Sequence, residues 1–267
     1  MAIAGAERIH PEHFERPDQE HPAPVLAFAS DDRAGFSRPS HSHPRGQLLH
    51  IVSGSLTVTT DSGTFVVPPE RAVWIPAHVF HATYYPIPTK LRTLYIRPEA
   101  APDLPDRPMV IQVTPLLREL ILALMEVPRS YDPDGPTGRL ATVLLDQIAH
   151  LPVAPLRLAL PVTEKLKSLA EGIIRCPSDI PPLKDAAKAC ALSERSFERR
   201  FALEAGLSYR AWCRQAKLFR ALELLAAGRS VSDVAHKLGY EGPSAFVATF
   251  RKAFGVTPGR YFQQNGA

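Results

Sequence analysis

Residues 183–212 and 231–261 carry one pattern twice. Asp185 and Asp233 stand 48 positions apart, as do Ala187 and Ala235. After one inserted residue, Phe197/Phe246, Phe201/Phe250, Gly206/Gly255, Ser208/Thr257 and Trp212/Tyr261 follow at an offset of 49. A chain built this way must use the same supersecondary unit twice. The spacing predicts a short helix (Leu183–Cys190, Val231–Leu238), a tight turn, and a second helix (Ser193–Ala205, Pro243–Phe254). Ser193 suits an N-cap, because its hydroxyl accepts from an amide that has no intrahelical partner. Pro243 suits a first turn, where its missing donor is not needed. Gly206 and Gly255 fall where helices end in a left-handed residue. Thr163–Arg175 predicts a leading helix and Tyr209–Ala226 a long connecting one.

Phe197 and Phe201, four apart, mark the buried face of the first unit's second helix. Arg195, Glu198 and Arg199 share the opposite face. The net charge of +4 is unevenly spread: residues 161–267 hold 17 Lys and Arg against 10 Asp and Glu, and residues 1–160 hold 14 against 17. A paired helix-turn-helix in the basic half predicts contact with double-stranded DNA. Arginine can donate to guanine O6 and N7 together, and glutamate can accept from cytosine N4, so Arg195, Glu198 and Arg199 are the expected base readers. The offset of 49 maps Arg195 and Arg199 onto Ser244 and Ala248. The second unit is therefore expected to read through small residues, thymine methyls and DNA shape. Arg200, Lys217, Arg251 and Lys252 are expected on phosphates, which position a protein without specifying sequence.

Residues 1–160 differ in kind, with 21 of the 27 prolines and 9 of the 10 histidines. Apolar runs at Pro24–Ala29, Gln47–Ser53, Ser55–Thr60, Thr64–Val67, Ala72–Ile75, His81–Tyr85 and Leu91–Ile96 predict antiparallel strands, with Asp61–Gly63 as a hairpin turn. Strands at this spacing make a small barrel or double-sheet roll. Two amphipathic stripes follow, Leu117, Leu120, Ile121 and Leu124, then Leu140, Leu144, Ile148 and Leu151. Each either packs on the barrel or joins two subunits, and the second is taken as the dimer helix. Pro152, Pro155 and Pro161 predict a stiff, exposed linker. The expected division is a flexible arm over 1–23, a sensor over 24–112, a helical dimerisation segment over 113–151, a linker over 152–162 and a helical domain over 163–267. No apolar run reaches 18 residues and residues 1–20 lack an apolar signal core, so neither a membrane span nor a secretory signal is expected. Three spaced cysteines give no disulfide framework, which suits a reducing cytoplasm.

Residues 163–262 resemble the AraC/XylS family of bacterial transcription regulators. The stretch "RSVSDVAHKLGY" (Arg229–Tyr240) and then "SAFVATFRKAFGVTPGRYF" (Ser244–Phe262) are similar to the family signature at its second helix-turn-helix. The resemblance implies two recognition helices entering successive turns of one DNA face, with Arg195, Glu198 and Arg199 on the first and Ser244, Ala245 and Ala248 on the second. Gly35-x5-His41-x-His43-x3-Gln47-x6-Gly54 resembles the first cupin motif, with Gln47 where metal-binding cupins carry glutamate. Pro76-x-His78-x2-His81 resembles the second, with His78 replacing its glycine. That puts His41, His43, Gln47 and His81 at four ligand positions, suited to one divalent transition metal (Zn, Ni or Fe) and weakened by the lost carboxylate. The alternative occupant is a small-molecule effector. His50 and His78 are expected to be structural or at the rim.

The expected fold class is α+β: a cupin-like double-stranded β-roll with two helices, then an all-α domain of tandem helix-turn-helix units. The expected function is a DNA-binding transcription regulator that senses an effector or metal, acts as a homodimer, and meets RNA polymerase if it activates. The competing reading is a metal-dependent cupin dioxygenase or isomerase fused to a DNA-binding module. Against it, the motif offers no catalytic acid or base, and Gln47 is neither. A third reading makes the metal itself the signal.

Overall fold

The computed structural model describes residues 21–263 apart from 152 and 155, so most of the expected N-terminal arm lies outside the described residues. The chain divides into two compact units, one running to residue 156 without the hairpin tip 61–64, the other holding that tip and everything from residue 157.

The first unit is a roll of two antiparallel sheets. Its strands are β1 (Val25–Asp32), β2 (Ser37–His41), β3 (Gly46–Ser53), β4 (Leu56–Thr60), β5 (Gly63–Val67), β6 (Arg71–Ile75), β7 (His81–Tyr84), β8 (Thr89–Ile96), β9 (Met109–Gln112) and β10 (Val153–Ala154). One sheet runs β1–β8–β3–β6–β9–β10, and within this unit the other runs β2–β7–β4–β5. Strand β3 is buried from Gly46 to Ile51, because both of its faces are covered. Gln47 and Leu49 face the interior of the roll, while Leu48 faces outward into a cluster with Trp74, Leu94 and Ile96. This double burial is why apolar residues fall on both faces of β3, Leu49 and Ile51 on one and Leu48 on the other. Gly46 is obligatory here, since a Cβ would fall 2.1 Å from the Trp74 ring.

Helices α1 (Pro115–Met125) and α2 (Pro136–Ala149) cover the outer face of the larger sheet. Thr114 caps α1 by accepting from the Leu117 amide at 3.2 Å. Leu117, Leu120, Ile121 and Leu124 of α1 and Leu144 and Ile148 of α2 are buried in that cluster, with Leu140 and Leu151 packed against it. The stripe expected to form a dimer helix is therefore turned into the protomer's own core. The apolar face finds a sheet to cover within its own chain, so it is not free for a second copy, and residues 113–151 form one body with the roll.

The expected exposed linker is also different. Val153 and Ala154 extend the larger sheet by pairing with Ile111 and Val110. Leu156, Leu158 and Leu160 are buried. Strands β2, β9 and β10 lie outside the sequence expectation, because β2 is a polar edge with Pro39 in it and β9 and β10 are only 4 and 2 residues long.

The second unit holds α3 (Glu164–Arg175), α4 (Leu183–Ala189), α5 (Glu194–Ala205), α6 (Tyr209–Ala226), α7 (Val231–Lys237), α8 (Pro243–Phe254) and α9 (Pro258–Gln263). The sequence repeat becomes a repeat of backbone bonds. Leu192 N donates to Ala187 O at 3.0 Å, and Tyr240 N to Ala235 O at 3.0 Å. The turn residue is left-handed in both copies, Ala191 at φ 57 and Gly239 at φ 68. The aromatic cores repeat too: Phe201 meets Trp212 edge-on at 5.6 Å, and Phe250 meets Tyr261 edge-on at 5.6 Å. The entry to this unit is tied down by its own helices. Gln215 Nε2 donates to Arg157 O at 3.0 Å and Trp212 Nε1 to Ala159 O at 2.7 Å. The Glu204 carboxylate accepts from the amides of Val162 and Thr163 and from Thr163 Oγ1, between 2.6 and 2.9 Å.

Candidate functional site

In the helical unit, Ser193 caps α5 by accepting from the Ser196 amide at 3.3 Å. Phe197 and Phe201 are fully buried, which fixes the rotation of α5 and turns Arg195, Arg199 and Arg200 to solvent, with Glu198 half-buried beside them. Helix α8 is rotated the same way by Phe246 and Phe250, and exposes Ser244, Ala245, Ala248, Arg251 and Lys252. Both helices end in a left-handed glycine, Gly206 at φ 71 and Gly255 at φ 77. Lys217, on α6, is half-buried, with its ammonium over the Tyr240 ring at 5.7 Å.

In the roll, two cross-strand pairs build a second site. His41 on β2 lies opposite His81 on β7, their ring centroids 4.4 Å apart. Gln47 on β3 lies opposite Tyr95 on β8. Such direct neighbours have Cβ atoms roughly 5 Å apart. His43 sits between the pairs, in the connection after β2 rather than on that strand, with ring centroids 5.2 Å from both His81 and Tyr95. One ring nitrogen from each of His41, His43 and His81 falls within 4.8 Å of the others.

The tautomers follow from the neighbours. The Nδ1 atoms of His41, His43 and His81 face the carbonyl oxygens of Pro39, Arg45 and Val79. A carbonyl only accepts, so each Nδ1 carries a hydrogen, and the tautomer this selects presents a bare Nε2 lone pair. Burial holds the His81 imidazole down at about 4 and lowers that of His43, so both are neutral at pH 7. His81 Nε2 is buried with no hydrogen-bond partner among the described residues. His43 Nε2 lies 3.2 Å from Gln47 Oε1, where two acceptors face one another. The donor set therefore fits a cation: three imidazole nitrogens and an amide oxygen converge, with outer hydrogen bonds that fix the rings. Space allows little else. The cavity lined by Arg38, His41, Gln47, His81, Thr83 and Tyr95 is about 20 Å³, room for one water or one ion.

Of the other histidines, His50 is buried on the outward face of β3, its ring against Arg71 O at 3.3 Å. His78 is exposed and holds φ 64 at the position where the second cupin motif has glycine. Gly35 at φ 78 and Gly54 at φ 94 fill the first motif's glycine positions. The residue that sequence reasoning passes over is Tyr95. It reads as an ordinary strand aromatic, and only the pairing of β3 with β8 places it beside Gln47.

The AraC-like ligand binding domain family matches residues 21–150, and a helix-turn-helix domain family matches residues 186–264. The HTH-type transcriptional regulator NimR of Escherichia coli is 35% identical over 245 residues, 92% of this chain and 89% of that protein. The regulatory protein PocR of Salmonella typhimurium is 32% identical over 105 residues, 39% of this chain and 35% of that protein. A crystal structure of ToxT from Vibrio cholerae O395 covers 91% of this chain and 99% of its own at 10% identity and a TM-score of 0.39. No helix among the described residues is long and apolar enough to cross a membrane. With tandem helix-turn-helix units behind a β-roll, and a regulator of like sequence along nearly its whole length, this chain belongs to the AraC family of transcription regulators, pairing an AraC-like ligand-binding domain with a helix-turn-helix domain.

Proposed function

We propose that α5 and α8 read base edges in successive major grooves, and that one divalent transition-metal ion held in the roll biases that reading. The DNA reading is carried by one observation: the arginines of α5 lie on the face opposite its buried phenylalanines, and α8 presents small residues on its corresponding face. Arg195 and Arg199 take guanine edges, Glu198 takes a cytosine amine, and Ser244, Ala245 and Ala248 allow close approach to thymine methyls. Arg200, Arg251 and Lys252 take phosphates. Replacing Arg195 or Arg199 by alanine costs about 1–3 kcal/mol on the preferred operator and little on random DNA. Fluorescence anisotropy on both duplexes tests this, and equal losses on the two would remove the base-reading role.

The ion would be held by Nε2 of His41, His43 and His81 with Gln47 Oε1, a set of neutral donors that suits Zn²⁺, Ni²⁺ or Fe²⁺. When bound, it would supply a fixed positive charge to four side chains that lie on β2, the connection after it, β3 and β7. The small cavity supports an ion over an organic effector, which would need the roll to open. Such a ligand shifts DNA affinity only by the difference in its own affinity for the two states of the protein. Chelation and His81→Ala are expected to change the operator Kd in the same direction and by the same factor. An operator Kd that ignores both would leave the ion structural rather than regulatory.

A further inference from the structure

The ion reading leaves a problem at Gln47. A carboxylate offers two equivalent oxygens to a metal, so either rotation of its end serves. An amide offers one oxygen and one NH₂ group, and only one of its two rotations can coordinate. A glutamine at this position needs something that tells its two ends apart. His43 does not do so, since its bare Nε2 accepts readily from the NH₂ group and would favour the wrong rotation in the absence of metal.

Tyr95 is placed to hold the coordinating rotation: with Oε1 on the ion, the NH₂ group needs an acceptor, and the Tyr95 hydroxyl supplies it. Gln47 Nε2 donates to the Tyr95 hydroxyl at 3.0 Å, which leaves Gln47 Oε1 turned toward His43 Nε2 at 3.2 Å. That separation is close to the roughly 3.3 Å between two ligands of one tetrahedral ion with bonds of about 2.0–2.1 Å. The hydroxyl is held in turn: Tyr95 is fully buried, edge-on to Phe28 at 5.6 Å and to His43 at 5.2 Å. The direct β3–β8 pairing of Gln47 with Tyr95 sets the spacing through the backbone.

We propose that Tyr95 is a positioning residue which aims the Gln47 carbonyl oxygen at the metal. It acts on the metal only through Gln47, and it is needed because residue 47 is an amide. The inference rests on the metal reading above, and its test separates the two. Zn²⁺ affinity of the full chain is measured by competition with a chromophoric chelator, for wild type, Tyr95→Phe, Gln47→Glu and the double variant. Circular dichroism of each metal-free protein checks the fold.

Tyr95→Phe is expected to weaken Zn²⁺ binding 10–100-fold, the usual scale for losing an outer partner. Gln47→Glu is expected to tighten it by restoring the charge. The double variant is expected to lose clearly less against Gln47→Glu than Tyr95→Phe loses against wild type, because a carboxylate has no wrong rotation. A structural role for Tyr95 would instead give the same loss in both backgrounds, and that result overturns the proposal. So does a Tyr95→Phe protein that binds like wild type. Wild type that takes up no Zn²⁺ removes the metal reading and this inference with it.

Discussion

Ala191 turns the chain between α4 and α5 at φ 57, in the place where the second copy uses Gly239 at φ 68. A left-handed residue with a Cβ costs about 1–2 kcal/mol, partly offset by the entropy that glycine loses on folding. Ala191→Gly is therefore expected to stabilise the helical unit by up to ~1 kcal/mol, read as a higher Tm with unchanged DNA affinity. His50 sets a second expectation. Burial, against the pull of Arg71 O and with Arg118 and Arg92 nearby, depresses its pKa to about 4 from an ordinary 6.5. Below pH 6.5 the unfolded chain takes the proton first, so the stability present above that pH is lost progressively as the pH falls toward 4. The loss from this residue between pH 7.5 and 5 is about 2 kcal/mol, and denaturant unfolding of His50→Leu should show a correspondingly flatter pH dependence. At this scale the sequence exposes what local spacing controls. His41, His43, Gln47 and His81 are legible from motif spacing, and the Ser193 cap and Gly206 from helix ends. Tyr95 is not, because its role comes from a strand partner 48 residues away in the chain.

Helices α5 and α8 have legible boundaries because caps, prolines and glycines mark their ends, and the repeat states each boundary twice. Helix α2 shows the limit of the same method. Its stripe of Leu140, Leu144, Ile148 and Leu151 has the right period for either a core face or an interface, and periodicity does not say what lies opposite. The sheet lies opposite. Leu144→Ala is accordingly expected to cost about 2–5 kcal/mol of folding stability, while sedimentation at temperatures where the variant remains folded shows the oligomeric state of wild type. A dissociated but undiminished fold would restore the interface reading. The prolines after α2 misled in another way. They forbid helix and suggest a linker, yet the leucines between them are buried, and Val153 and Ala154 add a short strand to the sheet. Strand β2 carries no apolar alternation because it is a sheet edge, where exposed polar residues and a proline are compatible with pairing on one side.

Across the whole molecule, composition splits where the fold does. The proline- and histidine-rich residues make the roll and its ion-sized cavity, and the basic residues make the paired DNA reader. Each unit has its own core, and the tandem helix-turn-helix units lie in the second. Helices α5 and α8 are expected to read two separate elements of one DNA site, with the arginines of α5 specifying the first. The most direct measurement is selection from a random-sequence duplex library by the full-length protein, for wild type and Arg199→Ala in parallel. Wild type is expected to enrich two base-specific elements about one helical turn apart, and Arg199→Ala to lose preference in one of them and keep the other. A variant that enriches the same bases at both elements with merely weaker binding would contradict this, and would move Arg199 from the bases to the phosphates.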